Sequence, residues 1–217
     1  MEIYSTEEQQ LDAIRSWFKK NGLSTMWTVV IAVSLVMGYR YWQHHREVVL
    51  EKASESYAMM MFNLDEGDFT SVESQAKLLM SKFDNTPYAA LAALSLAKDA
   101  ILKNELDRAK EYLQWVVDKS SVNEFRQVAI MRLARVLSQQ QQIDMALKLL
   151  GQSAEKANGY YTLQEELKGD LLMVQNNIPE AKEAYQRAWD KAGQGVRPVL
   201  RMKLEALGVT VPNSMSL

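Results

Sequence analysis

A chain of 217 residues that is 24% charged and 47% hydrophobic has the composition of a folded protein, which argues against an intrinsically disordered one. A formal net charge of −2 offers no basic field to phosphates, so nucleic acid is not expected as a partner. The absence of cysteine removes disulfides, thiolate nucleophiles and cysteine-type metal sites, and is silent about compartment.

In chain order, residues 1–22 form a segment of their own. Thr6 and Gln9 make a capping box, and Leu11, Ile14, Trp17 and Phe18 share one face of a helix expected to end at Asn21-Gly22. Such a helix lies on a membrane surface, or the segment is a frayed tail. Residues 21–39 contain no charge and, as a helix, span roughly 29 Å, the thickness of a bilayer's hydrocarbon core. The stretch is longer than a signal-peptide core and is read as a retained transmembrane helix over 23–43. Trp27 at one end, and Tyr39, Tyr41 and Trp42 at the other, fit headgroup depth. Orientation stays open, because Arg15, Lys19 and Lys20 before the span balance Arg40, Arg46 and Lys52 after it.

Residues 44–52 are expected to be a juxtamembrane linker. It carries the only histidines, His44 and His45, whose side chains point about 100° apart on a helix and do not readily share one metal. Residues 53–207 show helical periodicity with few glycines or prolines and repeat themselves. Leu94-Ser95-Leu96-Ala97-Lys98 with Leu106-Asp107-Arg108-Ala109 recurs 37 residues later as Met131-Arg132-Leu133-Ala134-Arg135 with Ile143-Asp144-Met145-Ala146. A third copy follows 35 residues on, with Gly169, Ile178, Ala181, Tyr185 and Ala188 at the matching positions. A degenerate first copy runs from Tyr57 to Leu79 around a turn at Gly67-Asp68-Phe69. Small residues let paired helices approach, and about three or four such pairs are needed to bury a continuous core. Pro198 to Leu207 is the expected capping helix, and 208–217 a loose tail.

The fold class is therefore all-α: a single N-terminal transmembrane helix followed by a tetratricopeptide-like helical repeat array, an α-solenoid. A stack of this kind presents a concave groove lined by the first helix of each pair. Repeat register assigns Tyr57, Met61, Leu94, Lys98, Met131 and Arg135 to that groove as partner-binding residues.

Catalytic signals are sparse, and no cofactor is called for. Ser95-Leu96-Ala97-Lys98 and Ser153-Ala154-Glu155-Lys156 match the Ser-x-x-Lys pattern of penicillin-binding enzymes without its companion motifs. Gly193-Gln194-Gly195 lacks the strand and further glycines of a phosphate loop, and Glu165-Glu166 reads as a solvated helix face. Met59-Met60-Met61 supplies flexible thioethers, of which at least one is expected in the core.

Met1-Glu2-Ile3-Tyr4, Phe18 with Asn21-Gly22, Gly38-Tyr39-Arg40-Tyr41-Trp42, Lys103-Asn104-Glu105-Leu106 and Arg132-Leu133-Ala134-Arg135-Val136 together resemble the YfgM family, the ancillary subunits of the SecYEG translocon. The resemblance implies a bacterial inner-membrane protein with a cytoplasmic N-terminus and periplasmic repeats. It also implies the SecYEG translocon and the membrane-anchored periplasmic chaperone PpiD as partners, newly secreted unfolded proteins as clients, and no enzymatic activity. A cytoplasm-facing repeat adaptor, with the same fold and opposite topology, is the alternative.

Overall fold

The structure is a computed structural model that describes residues 7–153, 159–192 and 197–210. The chain divides into two compact units, Met1–Lys52 and Ala53–Leu217. Helix α1, Glu7–Asp65, contributes to both.

In the first unit, Leu23, Met26, Trp27 and the valines, leucine and methionine up to Met37 are all exposed. An uninterrupted apolar surface of that size is unstable in water and is suited to hydrocarbon. Thr28 Oγ1 donates to the Ser24 carbonyl at 2.9 Å and Ser34 Oγ to the Val30 carbonyl at 2.8 Å, so these hydroxyls are satisfied without solvent. At the far end Tyr39 and Trp42 lie 6.2 Å apart, and the Arg46 guanidinium sits 5.7 Å over the Trp42 ring. Helix α1 does not stop at Asn21-Gly22, and 44–52 is helical instead of a linker. One glycine costs a helix about 1 kcal/mol, which a long run of helix formers on both sides absorbs. Thr6 and the tail at 211–217 lie outside the described residues, as do Met1 to Tyr4 and Gly193 to Gly195.

The second unit is a series of helix pairs. The end of α1 from residue 53 pairs with α2 (Phe69–Lys82), α3 (Pro87–Leu102) with α4 (Leu106–Lys119), α5 (Asn123–Gln139) with α6 (Ile143–Ser153), and α7 (Tyr161–Val174) with α8 (Ile178–Ala192). Helix α9, Pro198–Ala206, closes the series on α8. Asp68 and Thr86 cap α2 and α3 through their side-chain oxygens. Hydrogen bonds from Ser71 also hold the Asp68 carboxyl below the usual carboxylate range.

All four pairs turn the same way. Gly67, Asn104, Gln141 and Asn176 have φ between +58° and +77°, and they stand 37, 37 and 35 residues apart. The next amide in each turn reaches back five residues: Asp68 to Asn63, Glu105 to Ala100, Gln142 to Leu137 and Asn177 to Leu172, at 2.8–2.9 Å. This is the Schellman ending, and its recurrence places the degenerate first copy in the same register as the others. Gly208 and the Val209 amide end α9 in the same manner.

That register exposes a trade of volume inside each pair. Seven residues before the turn residue the first helix carries Met60, Ala97, Ala134 and Gly169, all buried. Nine residues after it the second helix carries Ala76, Leu113, Leu150 and Tyr185, also buried. As the first shrinks, the second grows. The fourth pair shows the fit directly, since a Cβ on Gly169 would collide with the Tyr185 ring and stand 2.9 Å from its Cζ. Neighbouring pairs share side chains: Met80, Tyr112 and Trp115 touch the first and second core clusters, and Leu147 touches the second and third. The first helices α3 and α5 also meet, as do α5 and α7, so the first-helix side of the array is continuous.

Gly169→Ala tests the volume trade, because helix propensity favours alanine by about 1 kcal/mol whereas overpacking costs about 1–3 kcal/mol. The expected result is a Tm lowered by about 2–8 °C on calorimetry; a raised Tm would refute the close approach.

Candidate binding face

The six groove residues expected from repeat register fall into two columns. Tyr57, Leu94 and Met131 stand ten residues before their turn residue, and Met61, Lys98 and Arg135 stand six before. Leu94 and Met131 are only 8% and 7% exposed and belong to the central core cluster. Tyr57 is half-buried with its ring 5.7 Å from that of Tyr88, and Met61 is half-buried against the first cluster. Lys98 and Arg135 are exposed. The ten-before column thus packs inward, and in the middle pairs only the six-before column faces solvent.

The solvent side of the two middle first helices, α3 and α5, is the strip thirteen, nine, six and two residues before the turn residue. On α3 it reads Leu91, Ser95, Lys98 and Leu102; on α5 it reads Val128, Arg132, Arg135 and Gln139. Spacings of four, three and four keep each set on one helix face. Leu163 and Val174 continue the strip on α7 at 40% and 64% exposure, and Leu102 reaches 76%. Across the helices these positions line up as an apolar row, a cationic band and a second, partly apolar row. Arg132, Leu91, Val128, Leu163, Leu102 and Val174 were missing from the expected groove. A register counted from the turn residues Asn104 and Gln141 would have included them, because that count separates the buried column from the exposed one.

The charges on the strip differ in their freedom. Among the described residues Lys98, Arg132 and Arg135 have no ion-pair partner. The fourth pair carries acids instead, and they are neutralised. Lys203 of α9 lies 2.6 Å from Asp170 and 2.9 Å from Glu166, Arg197 lies 3.3 Å from Glu166, and the Tyr185 hydroxyl donates to Asp170 at 2.7 Å. Glu165, whose side chain is 5% exposed, pairs with Arg187 at 2.7 Å. The expectation of a solvated face at Glu165-Glu166 is therefore corrected: α8 and α9 bring cations from 22 to 37 residues away, a distance that local periodicity does not register. Burial, followed by the Asp170 acceptor, pushes the Tyr185 hydroxyl well above its ordinary value. Burial opposes the charge on Lys203, but Asp170 and Glu166 outweigh it and the ammonium is raised.

Other singled-out residues have structural employment. Ser95 Oγ donates to the Leu91 carbonyl at 2.9 Å, and Ser153 Oγ donates to Leu150 at 3.2 Å, so both hydroxyls bond their own helix. Lys156 lies outside the described residues. His44 and His45 are exposed on α1. Met60 is fully buried, whereas Met59 is 56% exposed and accepts from Gln75 at 3.6 Å.

An apolar span and a stack of helix pairs with an exposed, mixed apolar and cationic face define a membrane-anchored tetratricopeptide-like scaffold. The family description "Tetratricopeptide repeat-like domain" matches residues 15–209. The ancillary SecYEG translocon subunit of Escherichia coli is 32% identical over 186 residues, covering 86% of this chain and 88% of that protein. The Aggregatibacter actinomycetemcomitans protein of the same name is 31% identical, covering 93% and 97%. The Neisseria gonorrhoeae one is 26% identical, covering 95% and 100%. The chain belongs to the YfgM family of ancillary SecYEG translocon subunits.

Two measurements separate packing from surface. Leu94→Ala and Met131→Ala should each cost about 2–5 kcal/mol in urea denaturation, while Lys98→Ala and Arg135→Ala stay within about 0.5 kcal/mol; equal costs for both sets would contradict the two-column arrangement. The second is a pH profile. Tyr185 and Lys203 have folded-state pKa values raised above their unfolded ones, so their stabilisation is complete below about pH 10 and fades as pH climbs through the folded values. Tyr185→Phe should lower stability by about 1–2 kcal/mol near neutrality and shrink the alkaline loss, measured by denaturation at about pH 8 and about pH 11. An unchanged alkaline slope would show that the hydroxyl bonded to Asp170 does not report on the α7–α8 pair.

Proposed function

We propose that this chain is a single-pass inner-membrane scaffold that associates with the SecYEG translocon, with its N-terminus in the cytoplasm and its repeats in the periplasm. There it binds a membrane-anchored chaperone of the PpiD type and assists secreted proteins as they emerge. The supporting observation is that similarity to proteins named ancillary SecYEG translocon subunits spans nearly the whole chain, anchor and array together. Physical chemistry gives the combination a purpose. A contact of about 1 μM is worth roughly −8 kcal/mol, and confinement to one membrane raises the effective concentration toward the millimolar range. Weak binding by the array then suffices to keep a partner at the channel.

Because the chain has no cysteine, a single introduced thiol reports topology cleanly. Lys119→Cys, exposed at the end of α4, should react with a membrane-impermeant maleimide applied to the periplasmic side, and photocrosslinking in the same membranes should recover channel subunits and the chaperone. Labelling only after the inner membrane is opened would establish the opposite orientation and favour a cytoplasm-facing adaptor.

A further inference from the structure

We infer that the first-helix face of the second and third pairs docks an acidic, partly apolar segment of a partner protein in extended form. The inference deepens the scaffold function above by naming the chemistry of what the array holds, and rests on it only for the identity of the partner.

The case begins with charge. The chain as a whole is slightly acidic, with 27 Asp and Glu against 25 Lys and Arg, and its described ion pairs include ten close contacts. Yet Lys98, Arg132 and Arg135, on two helices that touch each other, are exposed and pair with nothing among the described residues. Asp170, on the same strip, is occupied by Lys203, Glu166 beside it by Arg197 and Lys203, and Asp99 next to Lys98 by Lys103, while Glu124 stands at the start of α5, about two helical turns from Arg132, so the band keeps its positive charge. Concentrated, uncompensated positive charge on a nearly neutral protein stabilises binding of a complementary anionic surface and speeds its encounter.

Geometry selects a peptide over a diffuse anionic surface. Packed helices lie about 8–10 Å apart, and an extended chain in the polyproline-II form advances about 3.1 Å per residue with three residues per turn, so every third side chain returns to the same side. Carboxylates about three residues apart therefore reach from Lys98 on α3 to Arg135 on α5 as the segment crosses both helices. Leu102 lies on one side of the cationic band, and Val128 with Leu163 lies on the other. Apolar side chains between the acids are covered there, which a layer of lipid phosphates would not achieve.

The test uses the full-length chain in nanodiscs of zwitterionic lipid. The probe is a short fluorescein-labelled peptide with glutamate at every third position and leucine and serine between. Fluorescence anisotropy should show saturable binding that weakens as salt is raised, and the same peptide with lysine for glutamate should not bind. The variant K98E/R132E/R135E should weaken binding at least about tenfold at unchanged Tm. The equal charge reversal K119E/K148E/K182E, on exposed positions of second helices, should leave it intact. Equal binding of the lysine peptide, no loss in the first variant, or an equal loss in the second overturns the inference. So does tighter attachment of the wild type to vesicles of anionic lipid through the same three residues. Channel crosslinking is scored separately: crosslinks without peptide binding remove this inference alone, and peptide binding without crosslinks removes the translocon assignment alone.

Discussion

What holds the array together is an exchange of volume across each helix hairpin. Two helices approach closely only where one side chain is small, and the core stays filled only where the facing one is correspondingly large. Met60 with Ala76, Ala97 with Leu113, Ala134 with Leu150, and Gly169 with Tyr185 are four solutions of the same problem. Only the first pair reverses the sizes, with the large residue on its first helix. Because each pair solves it internally, pairs stack with a common turn geometry although their sequences differ, and the core runs continuously through shared side chains such as Trp115 and Leu147.

The exchange also places the face. With the seven-before residue directed at the second helix, the residues on the opposite side of the middle first helices, α3 and α5, are left facing solvent as one strip. In the middle of the array no described residue pairs with the cations of that strip. Toward the C-terminal end α9 does compete: Lys203 and Arg197 engage Glu166 and Asp170, and the Lys203 ammonium lies 5.5 Å over the Tyr185 ring. The capping helix thus closes the core and silences the acids of the last pair at the same time.

The anchor has the opposite character. Its apolar side chains are exposed and not buried, and its hydroxyls at Thr28 and Ser34 turn back onto the helix. Water penalises such a surface and hydrocarbon does not, so the same residue types that build a core in one unit build a lipid-facing surface in the other.

Much of this was legible in the linear order of residues: the all-α class, the uncharged span over 21–39, and the recurrence of Ala97, Ala134 and Gly169 at a spacing of 37 and 35. Those depend on periodicity, which neighbouring residues carry by themselves. The groove was legible only in part. Lys98 and Arg135 face solvent, but Leu94 and Met131 turn inward, because a count of four residues along a helix does not say which of two adjacent faces meets the neighbouring pair. The reversed Met60 and Ala76 made the first copy look degenerate until the turn at Gly67 fixed its register. Glu165 and Glu166 looked solvated until Arg187 and Lys203 arrived from later helices. Sequence alone determined the helices of the array and their repeat, but not that α1 runs unbroken through Asn21-Gly22 and residues 44–52. Tertiary structure decided which face is buried and which charges are free, since both follow from contacts between residues tens of positions apart.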